Sequence, residues 1–100
     1  MNKPLYPGID QDVQGGLTHL GRIVMDAWVF GILPETQRCA GWDYGRMQDL
    51  YEKVNAKWDE FGPIPAQLPE PYRSRHERIY AEAVERARTS GWDPELSDDD

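Results

Sequence analysis

The apolar positions of this chain fall into three groups at helical spacing, and the first group is unlike the other two. Residues 17–33, Leu-Thr-His-Leu-Gly-Arg-Ile-Val-Met-Asp-Ala-Trp-Val-Phe-Gly-Ile-Leu, form its one strongly apolar run. At about 100° per residue, Thr18, His19, Arg22 and Asp26 share a stripe, but the same stripe continued forward lands on Val29, Phe30 and Leu33. The spacing therefore predicts a helix that begins amphipathic and ends apolar all round. Pro34, with no amide donor and a ring that disfavours helical geometry before it, is its expected stop. Pro34 to Ala40 has room for one short helical turn before Gly41.

The second group has one buried stripe and one wet face. Met47, Leu50, Tyr51, Val54, Trp58 and Phe61 recur at three- and four-residue steps, and polar residues fill the positions between them. Asp43 is the expected N-cap, Trp42 and Met47 match a hydrophobic staple, and Gly62 supplies the stop. Asp49 and Lys53 are spaced to pair along the helix. The third group, Tyr72, His76, Ile79, Tyr80, Ala83, Val84 and Ala87, is thin and alanine-rich. It starts either with Pro71 in its first turn or with a Ser74–Glu77 capping box, and Gly91 ends it.

Between the second and third groups lies Pro63-Ile64-Pro65-Ala66-Gln67-Leu68-Pro69-Glu70-Pro71. Extended at about 3.1 Å per residue it spans roughly 28 Å, which matches the roughly 27 Å of an 18-residue helix. The linker can then run back along the whole second helix, leaving the third parallel to it. With no strand-like alternation, the expected fold is all-α: a small three-helix domain over about 17–33, 43–61 and 71–89, with a proline-rich linker before the last helix. Residues 1–16, which end in Gly15-Gly16, read as an irregular N-terminal arm, 17–92 as a single helical domain, and 93–100 as an acidic, disordered tail.

One hundred residues allow one small core, so the four Trp, five Tyr and two Phe are its expected formers. Gly-Trp-Asp at 41–43 and 91–93 lacks matching flanks, so it reads as tryptophans plugging helix ends rather than as a repeat. The net charge of −7 is mostly a property of the tail. Asp93, Glu95, Asp98, Asp99 and Asp100 account for five of the 18 acids, which leaves 13 against 11 bases in the body. Such a body is a poor phosphate track, so nucleic acid is not an expected partner. The single cysteine favours a reducing compartment, the first residues have no signal-peptide pattern, and residues 17–33 are too short and too charged for a membrane span. Cytoplasm is the expected location, with no membrane contact.

No catalytic or cofactor signature is present. His19, Cys39 and His76 lack the close spacing of a metal site, so neither metal nor cofactor is expected. Cys39 beside Arg38 is the one candidate thiol nucleophile, but no base is placed near it by the sequence. Arg73, Arg75 and Arg78 sit at a helix start, against the helix dipole, and form a candidate anion- or phosphate-binding cluster; the competing reading pairs them with Glu70 and Glu82. The favoured function is a non-enzymatic protein–protein interaction module, an accessory, assembly or regulatory subunit or a homodimer. Trp28, Val29, Phe30, Ile32 and Leu33 would then form the contact surface. In the competing arrangement helices two and three, with the arm folded back through Leu5, Tyr6 and Ile9, cover the first helix. The alternative function is a small anion-binding regulator.

Overall fold

The computed structural model describes residues 5–89 and Gly91; the acidic tail at 93–100 lies outside the described residues. Three helices make up most of the described residues: α1 (His19–Val29), α2 (Tyr44–Phe61) and α3 (Tyr72–Thr89). The sequence did not foreshadow a two-stranded antiparallel sheet, which pairs β1 (Leu5–Tyr6) with β2 (Trp42–Asp43) in the register Leu5 to Asp43 and Tyr6 to Trp42. Single 3₁₀ turns occur at Ile9–Gln11 and Pro65–Gln67.

Helix α1 is shorter than its apolar run at both ends. Thr18 caps the start, its hydroxyl accepting from the Gly21 amide at 3.1 Å, so Leu17 stays outside the helix and packs as a buried loop residue. At the other end Gly31, not Pro34, is the stop. With φ of 72° it takes the left-handed conformation, and the amides of Ile32 and Gly31 turn back to the carbonyls of Ala27 and Trp28 at 2.9 and 3.2 Å. This is the paired closure of a Schellman motif, which glycine enters without a Cβ penalty. Residues 34–37 then form a turn, closed by the Gln37 amide on the Pro34 carbonyl, rather than a helix. Asp43 caps α2 as its position suggests, accepting from the Arg46 amide at 2.9 Å. The start of α3 is held from outside by Glu70, which accepts from both the amide and the hydroxyl of Ser74.

Side-chain contacts fix the helix directions. Along α1 and α2, His19 meets Tyr51, Asp26 meets Trp58 and Phe30 meets Phe61, so these two helices run parallel. Along α1 and α3 the order reverses: Phe30 meets Tyr72, the Val29 carbonyl meets Arg75, Asp26 meets Tyr80 and Met25 meets Arg86. Helix α3 is therefore antiparallel to both others, with Phe61 against Tyr72 and Trp58 against His76. The parallel placement expected from the linker's reach is wrong. Reach sets only an upper limit, and here residues 62–71 fold into a 3₁₀ turn and bury Leu68 at the end of the bundle. The segment that does run back is 31–41, as a parallel α1–α2 pair requires.

The arm is part of the core rather than an appendage. Tyr6 and Ile9 are buried with Val24, Met25, Val29, Cys39, Met47, Leu50, Val54, Leu68 and Ile79, and the Ile9 amide donates to the Arg38 carbonyl at 3.0 Å. Asp12 ties the arm to the start of α1, accepting from the Tyr6 hydroxyl at 2.7 Å, from the Gln14 amide at 2.9 Å and from the Thr18 hydroxyl. Gly21 permits this approach, since a Cβ there would lie 2.4 Å from the Gly16 carbonyl oxygen and 2.7 Å from Asp12 Oδ2. Gly21→Ala is therefore expected to lower unfolding free energy in urea by about 2 kcal/mol, although alanine is intrinsically about 1 kcal/mol better than glycine inside a helix. A stabilised variant would show that the arm yields freely.

Candidate functional site

The apolar end of α1 is covered by the chain itself. Val29 is fully buried and Phe30 is 6% exposed, enclosed by Trp58, Phe61 and Tyr72 with ring centroids 5.2, 6.1 and 5.5 Å away. Trp28 is buried under the loop that follows, its indole N–H donating to the Gln37 carbonyl at 2.9 Å and its ring lying 4.8 Å from the Arg38 guanidinium. These three residues are thus core, and of the expected contact surface only Ile32 and Leu33 reach the outside. Both are half-buried and line a shallow cleft of 230 Å³ with Trp42, Arg46, Asp49, Leu50 and Lys53.

The arginine cluster at the start of α3 is spent on the fold. Arg75 donates to the Val29 carbonyl at 2.8 Å, Arg78 pairs with Glu35 at 2.7 Å and with Glu82 at 3.4 Å, and Arg73 pairs with Glu70 at 3.1 Å. Arg75 acts as a cap, its cation placed at the negative end of α1. Glu35, which the sequence left unassigned, is held below the usual carboxylate range by its bonds to Arg78. Each of the three guanidiniums thus has a partner within the chain, the arrangement of the competing reading.

Cys39 is fully buried in the loop before β2, and burial pushes its thiol up to about 11, the opposite of what a nucleophile needs. Among the described residues no group of three His, Cys, Asp or Glu is placed to hold a metal ion.

A polar cluster between the three helices was not anticipated. Asp26 Oδ1 accepts from the Tyr80 hydroxyl at 2.6 Å and Oδ2 from the Trp58 indole at 3.1 Å, joining α1 to both other helices. His76 stacks on Tyr80 at 4.2 Å and meets Trp58 edge-on at 6.2 Å. Burial raises the Asp26 carboxyl, against the two bonds that favour its charged form, and burial lowers His76. The signal in the sequence was Asp26 itself, the last polar residue of an otherwise apolar half-helix. The hydrogen bonds of Asp26 and the ring contacts of His76 tie the three helices together, so the cluster serves as a clamp.

The most exposed apolar surface lies at the start of α1. Val13 is 77% exposed, and Leu5 and Tyr44 are each 56% exposed. Two adjoining hollows of 340 and 370 Å³ share His19 and Leu20: the first is lined also by Pro7 and Val13, the second by Tyr44, Met47 and Tyr51. Leu5, paired with Asp43, lies next to Tyr44. The one carboxylate lining these hollows, Asp12, is buried and bonded inward to Tyr6 and Thr18. Compared with protein-family models, curated proteins and solved structures, the chain matches none.

Two substitutions separate these roles. Phe30→Asp is expected to abolish helical circular dichroism at 25 °C, since losing a buried Phe costs about 3–5 kcal/mol before any charge is buried; a folded, helical variant would return Phe30 to the surface. The two buried carboxylates should show opposite pH dependence. Burial works against Asp12, but the bonds from Thr18, the Gln14 amide and Tyr6 win and hold it below its ordinary 3.8, so its contribution is full above pH 3.8 and is lost as pH falls through its folded value. Asp26 sits above 3.8, so its contribution declines as pH rises from 3.8 through its folded value. Below pH 3.8 the stability lost in Asp12→Asn should grow as pH rises, and above pH 3.8 that lost in Asp26→Asn should shrink, both read from urea midpoints.

Proposed function

We propose that this protein is a non-enzymatic protein–protein interaction module, an accessory, assembly or regulatory subunit of the cytoplasm, that works as a homodimer through the face at the start of α1. One observation carries the reading: Val13 and Tyr44, two of the large apolar side chains most exposed among the described residues, line the paired hollows at His19 and Leu20, and a third, Leu5, is paired with Asp43 beside Tyr44. Contiguous apolar surface of this kind marks an interaction site. The hollows also carry no outward carboxylate, which matters for a chain of net charge −7. Two identical copies related by a twofold axis bring the same patch together, so a patch with charges of one sign repels itself, whereas this one does not. That neutrality favours a second copy over a charged partner.

The raised Cys39 thiol and the internally paired arginines support a non-catalytic role. Among the described residues no helix is long and apolar enough to cross a membrane.

Light scattering tests the proposal. At about 100 μM chain, within reach of a micromolar dimer, the molar mass should be twice the 11.5 kDa of one chain. Val13→Asp with Tyr44→Asp should return it to one chain with the circular dichroism unchanged. A single-chain mass for the unmodified protein at that concentration, or a dimer indifferent to both substitutions, would overturn the assignment of this face.

A further inference from the structure

The cations of this acid-rich chain are almost all consumed internally. Among the described residues Arg38, Lys57, Arg73, Arg78 and Arg88 pair with carboxylates, and Arg22, Arg75 and Arg86 donate to the carbonyls of Leu17, Val29 and Gly15. Arg46 and Lys53 do neither. Both line the same cleft, whose floor is Ile32, Leu33 and Leu50 and whose volume is 230 Å³. Asp49 also lines it, but makes no ion pair with Lys53 within 4.0 Å, contrary to the spacing expected on α2.

The Arg46 guanidinium carbon lies over the Trp42 ring, 3.9 Å from its centroid, so a cation–π contact restrains it before any ligand arrives. A stacked guanidinium keeps its in-plane N–H donors available, and these fit a carboxylate two at a time. Lys53 is seven residues further along α2, about 10 Å along the helix axis. In an extended polyproline II segment, with three residues per turn and about 3.1 Å per residue, residues three apart share one face and are separated by about 9 Å. An extended peptide with acids at positions i and i+3 therefore matches both cations, and a large apolar side chain between them reaches the Ile32–Leu33–Leu50 floor.

We infer that the Ile32–Leu33–Trp42–Arg46–Lys53 cleft is a docking site for an extended acidic segment of a partner protein, anchored by one apolar side chain between two carboxylates three residues apart. Nucleic acid fits less well, because two cations separated by Asp49 make a short and interrupted track for phosphates. The cleft and the face around His19 lie on different flanks of α2, the first using Arg46, Asp49, Leu50 and Lys53 and the second Tyr44, Met47, Gln48 and Tyr51. The peptide site is therefore independent of the homodimer, and either stands if the other fails.

The probe is the capped hexapeptide Ser-Asp-Leu-Ala-Glu-Ser, titrated into the full chain while amide shifts are followed by NMR. Saturable shifts are expected at Ile32, Leu33, Trp42, Arg46 and Lys53, and they should weaken as salt rises. The counterpart with lysine at both acidic positions should produce none, and the one with serine for leucine should bind about tenfold more weakly. Arg46→Glu with Lys53→Glu, both at exposed positions of α2, should reverse the preference toward the lysine peptide while circular dichroism stays unchanged. The proposal is overturned by absent shifts, by equal binding of acidic and basic peptides, by shifts centred on His19 and Leu20, or by a single-stranded oligonucleotide that produces the same shifts more tightly.

Discussion

An eleven-residue helix whose C-terminal half is apolar on nearly every side has to be covered there by the remainder of a 100-residue chain. That demand on α1 organises everything else. One neighbouring helix covers one side only, so α2 and α3 flank it in opposite directions, and their aromatic ends close together over Phe30 through Trp58, Phe61 and Tyr72. The side left open is filled by segments that belong to no long helix: Tyr6 and Ile9 from the arm, Cys39 from the returning loop and Leu68 from the proline-rich segment. Each buried side chain of this size contributes about 1.5–3 kcal/mol. In a domain this small, the irregular segments therefore matter as much as a helix does.

Covering α1 so closely also encloses its polar groups, and their bonds are the long-range ties of the fold. Asp12 and Thr18 sit at the positive end of the helix, where a carboxylate is favoured by the helix dipole, and Arg75 meets the carbonyl at the negative end. Asp26 lies in the middle with no cation bonded to it, so its charge is stabilised chiefly by hydroxyl and indole donors from α3 and α2, with weaker help from the nearby His76 and Arg22. Breaking either bond leaves a buried carboxylate short of a donor, which costs more than the bond itself contributes. The polar ties thus select one arrangement of three helices whose apolar contacts alone would tolerate several.

Periodicity was enough to locate α2 and α3 within a residue of their ends, because each has one apolar face and an identifiable cap in Asp43 or stop in Gly62 and Gly91. It failed where the decisive bond is not local. Gly31 stops α1 before Pro34 because a Schellman closure there satisfies two carbonyls, a choice visible in the sequence only as a glycine inside an apolar run. The pairing of Leu5–Tyr6 with Trp42–Asp43 carries no alternation because each strand has two residues. The direction of α3 depended on whether nine proline-rich residues extend or coil, and the burial of Leu68 decided it. For the candidate sites, the same apolar excess that suggested an interface was the core of the domain. Only Ile32 and Leu33, beyond the Gly31 stop, are carried to the surface.

What the fold leaves unused then becomes the informative part of the surface. A chain that places three arginines on backbone carbonyls and five further cations on carboxylates has few unpaired groups, so the pairing of Arg46 with an aromatic face rather than with an acid stands out against that background. The apolar surplus is uneven in the same way. Ile64 is half exposed beside the proline-rich turn, whereas Val13 and Tyr44 line the two hollows at the start of α1. Helix α2 separates a neutral apolar flank from a cationic one, and its buried stripe of Met47, Leu50 and Val54 holds both in fixed relation to α1. A rigid two-flanked helix of this kind can present one surface to a copy of itself and the other to an acidic segment without either contact disturbing the core.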